Sequence, residues 1–115
     1  MEMRYTPAMH LKSEKQIEAL FKTGKSISSF PLRARYLPIN DPQTKAAFTV
    51  SKRLFNLAVD RNHIKRLLRE AYRTQKNELN NSGTNFALLI MYVDKAPATY
   101  DRVAKAMKLI LNQVV

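Results

Sequence analysis

A small α+β domain, a two-layer sandwich of three helices on a mixed sheet, is what three features of the sequence predict. Residues 61–76 read as a helix with separate apolar and cationic faces, since Ile64, Leu67, Leu68, Ala71 and Tyr72 fall in one stripe at about 100° per residue. Phe86 to Val93 is apolar without alternation, the pattern of a central strand covered on both faces. Val103, Met107, Ile110, Leu111 and Val114 then repeat at helical spacing. With strands expected between residues 32 and 52, the order is α, β, β, α, β, α. A chain of 115 residues with 45% hydrophobic content suits one domain over residues 1–115, with residues 1–12 as an N-terminal arm.

Along the chain, Ser13-Glu14-Lys15-Gln16 is a capping-box pattern, so a first helix is expected over 14–23, with Ile17, Leu20 and Phe21 as its apolar face. Gly24 is expected to end it through a positive φ. Lys25 to Ser29 reads as a polar turn, and Leu32-Arg33-Ala34-Arg35-Tyr36-Leu37 alternates as a strand with unlike faces. Asn40-Asp41-Pro42-Gln43 has turn composition, which implies a hairpin to a returning strand from Ala46 to Lys52. Residues 54–59 form a short link or an early helical turn. Asp60 is the expected N-cap of the main helix, with Asn56 as an alternative one turn earlier. That helix should fade between 76 and 80, before the turn cluster Asn80-Asn81-Ser82-Gly83. After the central strand, Asp94 to Ala98 breaks the pattern and Thr99 caps the last helix.

The main helix carries the chain's charge. Arg61, Lys65, Arg66, Arg69, Arg73 and Lys76 gather beside Asn62 with only Glu70 among them, so +5 of the net +11 lies on this segment. Like-charged pairs four apart each cost about 0.2–0.5 kcal/mol without a counterion. A merely solvated face normally mixes signs, and a lipid-binding helix opposes its charge with bulky insertion residues, so a polyanionic nucleic acid is the expected partner.

Other chemistry is thin. There is no cysteine and only two histidines, His10 and His63, which excludes a disulfide framework, thiol catalysis and a believable zinc site. The carboxylates are scattered rather than grouped to hold Mg²⁺, and His63 lacks a partner for acid–base work. No catalytic residue is assigned. Residues 1–10 lack a signal-peptide core and nothing approaches membrane-spanning length, so a soluble cytoplasmic protein without a membrane role is expected.

Ser51-Lys52-Arg53, followed by Ala58-Val59-Asp60-Arg61-Asn62-His63-Ile64-Lys65-Arg66-Leu67-Leu68-Arg69-Glu70-Ala71, resembles the signature of the bacterial ribonuclease P protein component. The resemblance implies a subunit of an endoribonuclease holoenzyme whose RNA subunit, using Mg²⁺, removes the 5′ leader of precursor tRNA. It implies that Arg61, Asn62, His63, Lys65, Arg66 and Arg69 contact the RNA subunit. Phe21, Tyr36, Ser51, Lys52 and Arg53 are the leader-side candidates, plain core packing is the alternative for Phe21, and the cations of the 32–37 strand, Arg33 and Arg35, are also candidates to face RNA. No cofactor bound by this chain alone and no protein partner are inferred. The resemblance further implies a fourth strand and a left-handed crossover around the basic helix, where parallel crossovers are right-handed in about 98% of cases. Three positions depart from the family pattern. His63 replaces an arginine, and an imidazole lacks the permanent charge and five-donor fork of a guanidinium. Ile17 stands where a second aromatic is common, and Phe55 with a one-residue insertion alters the glycine-containing link. The rival classes are a ribosomal or general RNA-binding protein without a processing role, and a protein-only nuclease.

Overall fold

The computed structural model of the chain describes residues 11, 14–40, 42–75 and 84–114. The expected capping role of Ser13, the turn at residues 80–83 and the cation Lys76 lie outside the described residues. Seven elements follow in order: α1 Glu14–Thr23, β1 Lys25–Ser29, β2 Leu32–Ile39, β3 Lys45–Val50, α2 Ala58–Gln75, β4 Asn85–Tyr92 and α3 Tyr100–Gln113. The strands form one sheet in the order β1-β2-β4-β3. β1–β2 and β2–β4 are antiparallel and β3–β4 is parallel, so the sheet is mixed and α2 lies in the crossover between its two parallel strands.

Two local expectations change. Residues 25–29 are a strand rather than a turn. Only Ile27 among them is apolar, and as an edge strand β1 buries that one side chain while Lys25, Ser26 and Ser28 stay exposed, so it carries little periodic signal. β2 and β3 do not form a hairpin, because β4 is inserted between them. β3 does run opposite to β2, but it lies two strand spacings away, roughly 9–10 Å. The apolar run of β4 demands this arrangement, since a strand apolar on both faces is stable only between neighbours and under cover on both sides.

That cover is unequal. On one face Leu32, Ala34, Tyr36, Ala46, Val50, Phe86, Leu88, Ile90 and Tyr92 pack against the apolar sides of α2 and α3. Phe48 meets Tyr72 edge-on at 5.6 Å, and Tyr36 meets Phe86 at 5.8 Å. Large side chains buried here each contribute about 1.5–3 kcal/mol. On the opposite face α1 lays Leu20 and half-buried Ile17 over Ala87 and Leu89, with Leu37, Ile39, Ala47 and Met91 around them. Leu11 joins this smaller cluster, and its amide donates to the Ala46 carbonyl at 2.9 Å. To the expected helix-on-sheet sandwich, α1 thus adds a partial layer on the far side.

The helix ends obey local chemistry. α1 spans the expected residues, but Gly24 ends it without a left-handed φ. The Gly24 amide donates to the Leu20 carbonyl at 3.1 Å, and a Cβ at Gly24 would lie 2.4 Å from that oxygen, so close approach is what requires glycine. α2 begins at Ala58, earlier than a cap at Asp60 allows. Arg61 N donates to Leu57 O at 3.2 Å, which places Asp60 inside the first turn, where its negative charge suits the helix dipole. Thr99 caps α3 as expected, accepting from Arg102 N.

Candidate RNA-binding surfaces

The outward side of α2 is the first candidate. Ile64, Leu68, Ala71 and Tyr72 face the core, which turns Asn62, Lys65, Arg66 and Arg69 toward solvent. Among the described residues Lys65, Arg66 and Arg69 have no ion-pair partner. Like charges one turn apart then repel one another until an anion intervenes.

Two arginines of the same helix are engaged otherwise. Arg61 is half-buried, and its Nη1 donates to the Phe55 carbonyl at 2.9 Å and the Asn56 carbonyl at 3.0 Å, which ties the link to the helix it precedes. Arg73 Nε donates to Glu70 Oε2 at 3.1 Å within an ion pair. That hydrogen bond, aided by the Arg73 charge, holds the Glu70 carboxyl below the usual carboxylate range. The helix is therefore less uniformly free than its composition suggests. His63 is exposed beside the row and lines a recess together with Phe55, Asp60, Ile64, Pro97 and Ala98.

The second candidate lies across the sheet, beside α1. Phe21 is 53% exposed, which removes core packing as its role. The Arg35 guanidinium stands 5.6 Å from the centre of the Phe21 ring, a cation–π contact, and Arg35 Nη1 donates to the Leu20 carbonyl at 3.1 Å. Register places Ser26 and Ser28 of β1 beside Arg35 and Arg33 of β2, and Thr49 of β3 in line with Met91 of β4 beyond them. The result is a polar, basic strip of sheet flanked by an exposed ring. Ser51, Lys52 and Arg53 are exposed where β3 gives way to the link, and Ser51 Oγ accepts from Arg53 N at 3.1 Å.

Tyr36 does not join this surface. It is next to Arg35 in sequence, so its side chain points through the sheet into the larger core, where it is 4% exposed against Phe86. Arg33 and Arg35, expected from the sequence to face RNA but not grouped with the leader candidates, do lie on this strip. Alternation in β2 marks them as sharing a face, and only the pairing register tells that the face is the one flanked by Phe21.

Comparison with known proteins follows the same line. A family model described as Ribonuclease P matches residues 6–115. The ribonuclease P protein component of Vesicomyosocius okutanii is 32% identical over 81 residues, covering 70% of this chain and 72% of that protein. The corresponding protein of Chlorobium phaeobacteroides is 34% identical over 98 residues, covering 72% and 67%. Among solved structures, the RNase P protein from Thermotoga maritima superimposes with a TM-score of 0.77 at 18% identity, covering 90% of this chain and 96% of that one. The Staphylococcus aureus RNase P protein gives 0.75 at 20% identity, covering 90% and 92%. At these identities the structural likeness speaks to the fold.

Proposed function

The chain belongs to the ribonuclease P protein component family, protein subunits that act in tRNA processing with a ribonuclease P RNA, and on that premise we propose how its two surfaces divide the work. The outward row of α2, Asn62, Lys65, Arg66 and Arg69, binds the RNA subunit. The strip beside α1, with Phe21, Arg33 and Arg35, takes the single-stranded 5′ leader of precursor tRNA, with Ser51, Lys52 and Arg53 at its end. The observation that carries this reading is the unpartnered row of cations on α2, held outward by a helix whose other side is core. Such a row lowers the cost of crowding phosphates, and an exposed ring beside cations suits an unpaired strand whose bases can stack.

Hydrolysis in this reading belongs to the RNA subunit. Among the described residues no three His, Cys, Asp or Glu side chains come together in a metal site. In the same proposal the folded RNA holds the Mg²⁺, and this chain's side chains bind RNA without taking part in the hydrolysis. No helix among the described residues is long and apolar enough to cross a membrane, and a cytoplasmic location is part of the proposal.

The test is reconstitution. Precursor tRNA is incubated with the protein, with a bacterial ribonuclease P RNA, and with both, at low Mg²⁺. Cleavage should need both components. Cleavage by the protein alone would make it a nuclease in its own right, and salt-insensitive binding to the RNA would remove α2 from the interface, because each displaced counterion adds about one unit to the slope of log affinity on log salt.

A further inference from the structure

Beside the first turns of α2 lies an open recess of about 200 Å³ lined by Phe55, Asp60, His63, Ile64, Pro97 and Ala98. Its walls come from the link before α2, from α2 itself and from the loop after β4. Both loop walls are tied down. Arg61 holds the carbonyls of Phe55 and Asn56. On the other side the Tyr92 hydroxyl donates to Ala96 O at 2.8 Å, and Asp94 Oδ1 accepts from Ala96 N at 3.1 Å. The Phe55 ring leans on Tyr92, with centroids 6.0 Å apart. A recess pinned in advance loses little to ordering when something enters it.

Size and lining narrow the occupant. The recess is smaller than the roughly 300–1,000 Å³ of sites for drug-sized ligands, so it suits a single ring system. Phe55, Ile64, Pro97 and Ala98 give it apolar walls, and Asp60 and His63 are the polar groups in its lining. Among the described residues neither of those two side chains makes a hydrogen bond or ion pair. A carboxylate repels phosphate but accepts from N–H donors, so the recess favours a base over its backbone. The backbone has its own place nearby. Arg66 is three residues from His63, hence on the adjacent turn about 5–6 Å away between Cβ atoms, a reach comparable with that from a base to its own phosphate.

We propose that this recess holds one unpaired guanine of the RNA that lies along α2, with its ring against Phe55 and Pro97, its N1–H and exocyclic amino group donating to the Asp60 carboxylate, and its phosphate beside Arg66. Splayed-out bases stacked on aromatic side chains and read along their Watson–Crick edge are the usual route to specific RNA recognition. The inference rests on the assignment of α2 to the RNA subunit and turns that face from a neutralising surface into one that reads a base.

Charge gives the test its sign. If α2 only neutralises phosphate, Asp60→Asn removes a negative charge from the interface and should leave binding to the ribonuclease P RNA equal or tighter. Guanine reading predicts the opposite, a loss of about tenfold or more at constant salt, because the paired acceptor is gone. Ala98→Leu, which fills the recess without touching any charge, should weaken binding similarly, with thermal melting as the folding control: Asp60→Asn should lower it only slightly, through loss of the first-turn charge, and both variants should stay fully folded at the assay temperature. Guanosine 5′-monophosphate titrated into the isotopically labelled full chain should shift the amides of Phe55, Asp60 and Ala98 more than adenosine 5′-monophosphate does. Equal or tighter binding by Asp60→Asn, or shifts confined to Lys65, Arg66 and Arg69 with both nucleotides, overturns the inference. Arg66→Ala separates the two levels: if it weakens binding while Asp60→Asn does not, the RNA-subunit assignment stands and only the base site falls, whereas an RNA that does not bind the wild-type chain takes both away.

Discussion

The outer face of α2 and the strip of sheet beside α1 both present cations to solvent, yet they are assembled by different rules. On α2 a single period of 3.6 residues separates core from cations, so the surface exists as soon as the helix docks. The strip beside α1 has no such independence. Its members come from α1, β1, β2 and β3, and a one-residue slip of β2 would exchange Arg33 and Arg35 for Ala34 and Tyr36. One surface is a property of a segment, the other of a register.

That contrast can be attacked from several sides. The largest expected effect is on stability: Tyr36→Ala should cost about 3–5 kcal/mol, the scale of deleting a large buried aromatic, whereas Phe21→Ala should stay within about 1 kcal/mol in chemical denaturation. Equal losses would mean that the two aromatics share an environment. Next, Arg66→Ala should weaken association with the RNA subunit by about 1.5–3 kcal/mol, the range for a hydrogen bond to a charged group, without moving the melting temperature. Phe21→Ala should lower the affinity of the assembled holoenzyme for precursor tRNA by about 1–3 kcal/mol and leave mature tRNA unaffected, since only the precursor has an unpaired leader to stack. Loss of both substrates alike would move Phe21 out of the leader site.

Smaller effects sharpen the picture within α2. Arg61→Ala should reduce stability by about 1 kcal/mol as well as RNA affinity, because it releases the carbonyls of Phe55 and Asn56. A melting temperature equal to that of the wild type would make the link self-supporting. Smallest of all, Glu70→Gln should remove the carboxylate that Arg73 pairs with and steepen the salt dependence of RNA binding by up to about one unit. The Glu70 carboxyl is depressed, so its ion pair with Arg73 is complete above the ordinary glutamate range and is lost as pH falls through the lowered value. An NMR titration of the Glu70 carboxyl that gave an ordinary midpoint would contradict the pairing.

The same contrast explains what could be read from residues alone. α1, α2, β4 and α3 were legible because each carries a long periodic or uniformly apolar signal, and the row Lys65, Arg66 and Arg69 came with α2. β1 was illegible because Ile27 is its one apolar residue, and the place of β4 between β2 and β3 was illegible because turn composition encodes reversal of direction and not the distance crossed. Tyr36 lies in the core rather than on the strip for the reason that separates the two surfaces: strand alternation tells which residues agree and leaves open which side of the sheet they see. Arg61 shows the limit on α2 as well, since its position on the cationic face says nothing of the two carbonyls within its reach.

The carbonyl oxygen of Leu20 has a consequence for how variants of this protein would be sorted. It accepts from the Gly24 amide and from Arg35 Nη1, both at 3.1 Å, and Arg35 in turn lies against Phe21. A side chain at Gly24 would press on that oxygen and, through it, on the arginine. A genetic screen for defective leader handling would therefore return substitutions at Gly24, a position with no side chain to offer an RNA, alongside those at Phe21 and Arg35. Sorted by phenotype they form one class; sorted by melting temperature they split, with Gly24 on the side of architecture.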